Sequence, residues 1–303
     1  MEYFALIFIC IFAGVAAQKF KLAPADGYKA VNAWVLYIAI PALALRYIPE
    51  INLSGDIFVP IISPFIVWGG AWIFVYIYDL KKRLDRSSRA ALFVVCGLGN
   101  TGFIGFPMTL AYYGNEGLTV AVIYDQFTFI IFATIGVFTI MRNSQTAHDQ
   151  ANFYNVTKKI VRFPPFIASV TALVLPNIVD ISFINPLLDK LVATMTPMAL
   201  FSIGLQLKIG EIRSQAKLLG AGIFYKLVLA PALVFVFAFL MGAKGLTAQV
   251  SVLEAAMSSH ITASLLASQH NLNPKYCSLV IGLGIAIGFF TSFVWYILSI
   301  AMF

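Results

Sequence analysis

The sequence predicts an all-α integral membrane protein with ten transmembrane helices in two inverted five-helix repeats, in which the fourth and ninth helices are broken and cross. Three observations support this prediction. The composition is too apolar for a water-soluble protein, ten apolar segments have the length of a membrane span, and the two halves match at one fixed offset. We expect the first repeat at 1–145, a cytoplasmic linker at 146–159 and the second repeat at 160–303.

Hydrophobic residues make up 60% of the 303 residues and charged residues only 11%, whereas a soluble domain carries about 25% charged residues. The chain therefore lacks the polar surface that a water-soluble protein needs. Its three cysteines, Cys10, Cys96 and Cys277, lie in apolar runs far apart in the sequence. We expect them to be small buried hydrophobic residues rather than a disulfide framework.

A transmembrane helix needs about 20 apolar residues, and ten segments meet this length. The first is expected to be retained rather than cleaved, because Glu2 precedes its apolar run where a signal peptide carries cations. The loops between the segments are short, which excludes a sizeable soluble domain. The predicted spans cover residues 3–20, 30–48, 57–78, 90–112, 118–140, 160–178, 187–207, 216–241, 247–268 and 276–300.

The positive charges indicate the orientation of the chain. Sixteen of the twenty Lys and Arg residues fall in odd-numbered loops, three fall in even-numbered loops, and one, Lys226, lies inside a predicted span. Cytoplasmic loops carry the excess of Lys and Arg. We therefore expect both termini outside and the protein in the cell (inner) membrane. Because the cations mark a membrane face, the net charge of +7 predicts no nucleic-acid partner.

An offset of 156 residues relates the two halves. It places Pro41, in YIAIPALAL, on Pro197, in ATMTPMALF, and it places the span starts at 57 and 118 near 213 and 274. Five spans per half is an odd number, so the second copy is inverted relative to the first. Inverted repeats build secondary transporters whose site lies near the bilayer midplane, where discontinuous helices meet.

The stretch GNTGFIGFP, at 99–107, predicts a break in the fourth span. Pro107 removes a backbone donor, and the freed polar groups must line protein or a water-filled cavity. The N–H groups that begin the second half-helix, at residues 102–106, favour an anion, and Asn100 can both donate and accept. The alternative is a glycine-rich helix for close packing. The predicted substrate-binding residues here are Asn100, Thr101, Gly102, Phe103 and Pro107.

The same offset maps this stretch onto AAMSSHITA, at 255–263. No glycine or proline lies there, so a break relies on hydroxyl groups that compete for backbone hydrogen bonds. Whether the ninth span breaks fully is left open. We expect Ser258, Ser259 and His260 to form the wall of the site that faces the first break, although His260 is also compatible with a buried structural imidazole.

Two further ionisable residues lie within predicted spans. Asp125 and Lys226 belong to opposite repeats, and ionisable residues within a membrane are functional by default and usually paired. Their positions allow them to pair near the crossing, and any coupling to H+ or Na+ is expected to run through them or through protonation of His260. The alternatives are a structural role for Asp125 and snorkelling of Lys226 toward the interface. Glu254, near the predicted start of the ninth span, is expected to be interfacial.

GNTGFIGFP in the fourth span, TPMALFSIGLQL in the seventh and KLVLAP in the eighth resemble the auxin efflux carrier family over essentially the whole chain. That family includes plant auxin carriers and bacterial permeases assigned to malate or malonate. The resemblance implies a moving core of spans 3–5 and 8–10 against a scaffold of spans 1, 2, 6 and 7. It also implies that Asn100 and Pro107 belong to the first crossover.

The second crossover departs from the family, because Met257 and Ser258 stand where a proline is common. The architecture is shared with bile-acid/sodium symporters and sodium/proton antiporters. Such antiporters place an acid on the fifth span and a lysine on the partner repeat, and Asp125 and Lys226 are similarly placed. This is an analogy between folds, and a fold does not determine function.

These observations predict a secondary transporter that moves a small organic anion, a carboxylate, by alternating access at the crossing. The alternatives are a cation/proton antiporter of the same fold and a carboxylate-binding membrane sensor. No enzyme motif, metal site or cofactor is predicted. The predicted partners are the organic anion and the lipid bilayer, with a homodimer left open. The identity of the anion, the direction of transport and the coupling ion are also left open.

Overall fold

The structure is a computed structural model that describes residues 2–24, 26–50, 57–144, 164–207 and 215–303. These residues form eleven helices, and their only β-type pairing is a single bridge. The helices are α1 (Glu2–Lys19), α2 (Tyr28–Glu50), α3 (Phe58–Lys82), α4 (Arg86–Gly97), α5 (Thr101–Asn143), α6 (Pro164–Val174), α7 (Ser182–Gln206), α8 (Ala216–Leu240), α9 (Gly245–Ala255), α10 (Ile261–Gln269) and α11 (Pro274–Met302).

Seven of these helices are long and apolar enough to cross a membrane, namely α1, α2, α3, α5, α7, α8 and α11. The shorter helix α6 is also apolar. The prediction of an all-helical membrane protein is therefore confirmed, while ten crossings and the division into repeats stay predictions. The predicted linker at 146–159 lies outside the described residues.

The predicted boundary between the fourth and fifth spans falls inside α5. Gly114 there has φ +68° and ψ −162°, so the chain leaves the helical conformation at one residue and resumes it at once. A residue with a side chain is strained at this positive φ, whereas glycine is not. The helix α5 therefore consists of two segments, and the first of them begins at Thr101.

Three of the helices contain a π-turn shortly before a proline. A proline lacks the N–H group and clashes with the carbonyl group four residues earlier, and a local π-turn is one way for a helix to accommodate this irregularity. Each of three π-turns ends two residues before a proline. They are Val35–Ala39 before Pro41, Thr101–Gly105 before Pro107 and Tyr225–Leu229 before Pro231.

The helices α1 and α7 pack through glycines at very close range. A Cβ atom added to Gly14 would lie 2.2 Å from the carbonyl oxygen of Phe201, and one added to Gly204 would lie 2.3 Å from that of Ile11. Small residues at helix interfaces in membranes allow such close approach. Trp34 of α2 joins this pair, because its indole N–H donates to Thr194 Oγ1 of α7 at 2.9 Å.

The remaining core falls into two large hydrophobic clusters, one on each side of the segment between α4 and α5. Leu98 belongs to the cluster that contains α3 and α4, together with Trp68 and Tyr225. Phe103, only five residues later, belongs to the cluster that contains α1, α2 and α7. The predicted break therefore lies between the two clusters and contacts both.

We expect Gly204→Ala to destabilise the protein by about 1–3 kcal/mol, because the added Cβ atom meets backbone that cannot yield. The measurement is thermal unfolding of the purified protein in detergent. The matched control is Gly220→Ala, on the exposed side of α8, where an added Cβ atom meets nothing within 4 Å. Equal unfolding temperatures for the two variants would contradict this account of the interface.

Candidate functional site

Two helix interruptions lie against each other. The first separates α4, which ends at Gly97, from α5, and the second separates α9 from α10, which begins at Ile261. The two non-helical segments run antiparallel, with Gly99 bridged to Ser259. The N–H of Asn100 donates to the carbonyl oxygen of Ser258 at 2.7 Å. The N–H of His260 donates to the carbonyl oxygen of Leu98 at 3.0 Å.

Both interruptions are therefore present, and the second forms without glycine or proline. Its backbone is stabilised by hydrogen bonds to the first interruption, so the hydroxyl groups of Ser258 and Ser259 do not have to break the helix alone. A backbone group left unpaired in a membrane costs several kcal/mol. The mutual pairing removes that cost from both segments.

Asn100 and His260 occupy equivalent positions. The Oδ1 atom of Asn100 accepts a hydrogen bond from the N–H of Phe103, and the Nδ1 atom of His260 accepts one from the N–H of Ala263, both at 3.3 Å. Each residue thus caps the N-terminus of the helix that follows it. The two caps are separated by 160 positions, so the predicted offset of 156, which pairs Asn100 with Ala256, is wrong at the crossing.

The predicted set of free backbone donors, at 102–106, is also largely wrong. The N–H groups of 103–105 all donate to Asn100, that of Phe103 to the side chain and the next two to the carbonyl oxygen. The N–H groups of the first residues of a helix have no acceptor within the helix. Thr101 and Gly102 begin this helix, so their N–H groups are the ones directed to the interruption.

Two polar side-chain atoms at the crossing are buried without a hydrogen-bond partner in the described part of the chain. They are the Nδ2 atom of Asn100 and the Oγ atom of Ser258, and each residue is only 2% exposed. A gap of about 10 Å³ borders Ser258, which is close to the smallest volume that holds a water molecule. The crossing is therefore polar but closed in this conformation.

The other predicted site residues fall into two groups. Some make a specific side-chain contact near the crossing, and the others only pack or shape the helix. Thr101 is buried, and its hydroxyl donates to Asp125 Oδ1 at 2.5 Å. The ring of His260 stacks on Phe132 with 4.9 Å between the centroids. By contrast, Phe103 packs in the hydrophobic core and Pro107 is buried in the first turns of α5, so the structure shows packing and helix shaping for these two.

Lys226 does not pair with Asp125, and that prediction is wrong. No ion pair within 4.0 Å joins these two described residues. Instead, the Nζ atom of Lys226, which is 2% exposed, donates to the carbonyl oxygen of Ala255 at 2.7 Å. Ala255 ends α9, and the carbonyl groups at the end of a helix carry partial negative charge that attracts a cation. Complete burial also excludes snorkelling.

Glu254 is not interfacial, and that prediction is wrong. It is fully buried near the end of α9, and its Oε1 atom accepts a hydrogen bond from Thr109 at 2.8 Å. Its Oε2 atom is buried without a hydrogen-bond partner in the described part of the chain. The signal that identifies it is its position directly before the mapped break, at the end of α9 and thus in the interior of the predicted ninth span.

Three glycines of GNTGFIGFP each border one ionisable side chain. These positions, 99, 102 and 105, are spaced by three residues. A Cβ atom added at each one would lie 3.2 Å from Lys226 Nζ, 3.4 Å from Asp125 Oδ1 and 2.1 Å from Glu254 Oε2, respectively. We refer to Gly99, Gly102 and Gly105 as the glycine row. A side chain at Gly105 would overlap the Glu254 carboxyl group, whereas the approach is looser at Gly99 and is an ordinary contact at Gly102.

A cleft of about 830 Å³ lies between α5 on one side and α1, α2 and α7 on the other. At its rim, Arg46 donates to Asp189 Oδ1 at 2.7 Å and also pairs with Glu50. The cleft extends along α5 as far as Ile123, two residues before Asp125. The cleft therefore begins beside the predicted even-numbered loops and ends short of the crossing.

Apolar helices, two of which are interrupted and cross over buried polar groups, define a membrane transport protein. The chain belongs to the family described as membrane transport protein, which matches residues 1–296. This membership confirms the predicted resemblance to the auxin efflux carriers, and the family is one of transporters rather than enzymes. The protein is a multi-pass membrane protein.

Two archaeal proteins are similar to the chain. An uncharacterized transporter of Methanothermobacter thermautotrophicus is 26% identical over 253 residues, which cover 80% of each chain. An uncharacterized transporter of Methanocaldococcus jannaschii is 26% identical over 293 residues, which cover 91% of each chain. Both matches span most of the chain.

We expect Gly105→Ala to destabilise the protein by about 1–3 kcal/mol, because the added methyl group overlaps the buried Glu254 carboxyl group. A double-mutant cycle with Glu254→Ala, read by thermal unfolding, should return most of this loss. Gly69→Ala in α3, where an added Cβ atom meets nothing within 4 Å, is the control. Purely additive effects of the two substitutions would contradict the contact.

Proposed function

We propose that the protein is a secondary transporter that moves a small organic anion, a carboxylate, across the membrane by alternating access. In this proposal the chain crosses the membrane ten times, as two inverted repeats of five helices. The interrupted helices are the fourth and ninth crossings, and the substrate binds where they meet. We place both termini outside and the protein in the cell (inner) membrane.

The observation that carries this proposal is the set of unused donors at the crossing. The Nδ2 group of Asn100 is buried without a partner among the described residues, and the N–H groups of Thr101 and Gly102 begin a helix. A buried donor without a partner costs about 1–3 kcal/mol, and a carboxylate that accepts from several donors at a helix N-terminus removes that cost.

The second interruption supplies the opposite wall. The Ser258 hydroxyl is also buried without a partner in the described part of the chain, and it can donate to an anion. Ser259 and His260 hold this segment in place through the bridge to Gly99 and the bond to Leu98. A substrate between the two segments therefore contacts both halves of the chain.

Alternating access is supported by the close pair of α1 and α7 and by the cleft beside it. The close pair α1 and α7, joined by α2, forms the proposed scaffold, and the helices that carry the crossing form the proposed moving core. The cleft lies between them and is open at the rim, whereas the gap at Ser258 holds at most a water molecule. A rigid-body shift of the core is needed to connect the site to the cleft.

Coupling to H+ or Na+ is proposed to involve Asp125 and Lys226. Asp125 shares a hydrogen bond with Thr101, directly beside the predicted substrate donors. Lys226 binds the end of α9, directly before the second interruption. Each residue is therefore hydrogen-bonded next to one interruption, and a change in its charge alters the stability of that segment.

We expect Asn100→Ala to abolish uptake of radiolabelled malate and malonate into liposomes, because the substitution removes both the side-chain donor and the cap of α5. Uptake by the purified protein is the measurement, and size-exclusion chromatography checks that the variant is folded. Asn185→Ala, in α7 and outside the crossing, is the matched control. Full uptake by the Asn100 variant would remove the crossing from consideration as the substrate site.

The same liposomes separate the proposed function from a cation/proton antiporter of the same fold. We expect no sodium- or pH-driven flux in the absence of an organic anion, because the crossing supplies donors for an anion. Trapped pH dye and radioactive sodium are the readouts. Flux of these ions without an organic substrate, lost in Asp125→Asn, would favour the antiporter instead.

A further inference from the structure

Glu254 has a position that the proposed substrate site does not require. It lies in the last turn of α9, four residues before Ser258, and its Oε1 atom accepts from Thr109 at 2.8 Å. Gly105 lies against its Oε2 atom, so the glycine row leaves space for this carboxyl group. The structure thus buries a carboxyl group directly beside both interruptions.

The charges around the crossing do not balance if every group is ionised. The titratable groups near Glu254 are Asp125 and Tyr124 of α5 and Lys226 of α8. A tyrosine hydroxyl is neutral at pH 7, so one ammonium group faces two carboxyl groups. An uncompensated charge buried in a membrane protein is expensive. One bound proton makes the assembly neutral.

The geometry indicates which carboxyl group holds that proton. Asp125 is only partly buried and accepts a hydrogen bond from Thr101 at 2.5 Å. Glu254 is fully buried, and its Oε2 atom has no donor among the described residues. A metal cation needs several oxygen ligands, whereas Oε2 faces the CH₂ group of Gly105. A proton needs only the carboxyl oxygen itself.

We propose that Glu254 is a proton-binding site, protonated in this conformation, and that it loses its proton to water when the core shift opens it to an aqueous path. In that step the O–H bond of the carboxylic acid breaks, the electron pair stays on the carboxylate, and water becomes hydronium. The proton site stands on its own geometry. Its coupling to anion movement rests on the proposed function.

The position of Glu254 explains how protonation reaches the substrate site. Its neighbour Ala255 accepts the Lys226 hydrogen bond, and the backbone then continues into the segment that pairs with Leu98 and Asn100. A negative charge on Glu254 attracts Lys226 away from Ala255. Deprotonation therefore weakens the anchoring of the second interruption, and protonation restores it.

Infrared spectroscopy tests the proton site without any substrate. The wild-type protein in liposomes at pH 7 should show the carbonyl stretch of a protonated carboxyl group, shifted by D₂O, and Glu254→Gln should lose this band. Glu2→Gln, at an exposed position at the start of α1, is the matched control and should keep it. The same band in the Glu254 variant, or its absence from the wild type, would overturn the proposal.

A transport measurement tests the coupling. Malonate uptake by wild-type liposomes should differ between a pH gradient and no gradient, and this ratio should fall to one in Glu254→Gln while Glu2→Gln keeps the wild-type ratio. An unchanged ratio in the Glu254 variant would overturn the coupling. If neither malonate nor malate moves at all, the proposed function fails, and the infrared result still decides the proton site.

Discussion

The structure depends on the pairing of backbone groups where two helices are interrupted in an apolar core. An interruption frees N–H and C=O groups that lipid cannot satisfy. Here the two interruptions satisfy each other, through the bonds from Asn100 to Ser258 and from His260 to Leu98. Neither segment is stable in this conformation without the other. The pairing therefore joins the two halves of the chain at the position where we propose that the substrate binds.

This pairing also changes the role of the glycines in GNTGFIGFP. Their backbone freedom is not what the structure uses at the glycine row, since none of these three residues has a positive φ. The absence of a side chain is what matters, because each glycine borders an ionisable group. Glycine next to a buried carboxyl or ammonium group allows these groups to approach the interrupted helix without displacing it.

The sequence predicted the class of the fold and the first interruption, because apolar length, glycine and proline are local properties of the chain. The second interruption contains neither glycine nor proline, and only the match between the two halves indicated its position. It did not predict side-chain partners correctly. The sequence places Asp125 and Lys226 inside predicted spans of opposite repeats, but the rotation of each helix decides what each side chain faces. That rotation is set by packing between distant helices, which the sequence pattern does not show.

Glu254 and the offset of the repeats illustrate the same limit. The predicted start of the ninth span lies close to Glu254, which suggests an interfacial position. In the structure α9 ends at Ala255, so Glu254 lies directly before the interruption instead. The offset of 156 fits Pro41 and Pro197, whereas the caps Asn100 and His260 are 160 residues apart, because the connections before the crossing differ in length in the two halves. The prediction of free backbone donors is wrong for a related reason. Composition alone does not show that Asn100 accepts hydrogen bonds from the N–H groups of 103–105.

The rim of the cleft has a consequence for the rate at which charged solutes arrive. Its ionisable lining residues are one cation, Arg46, and three acids, Glu50, Glu116 and Asp189. An excess of negative charge at an aqueous entrance repels anions over a distance of about 8 Å at physiological ionic strength. For the proposed carboxylate substrate, association from this side is therefore slower at low salt than at high salt, where the repulsion is screened.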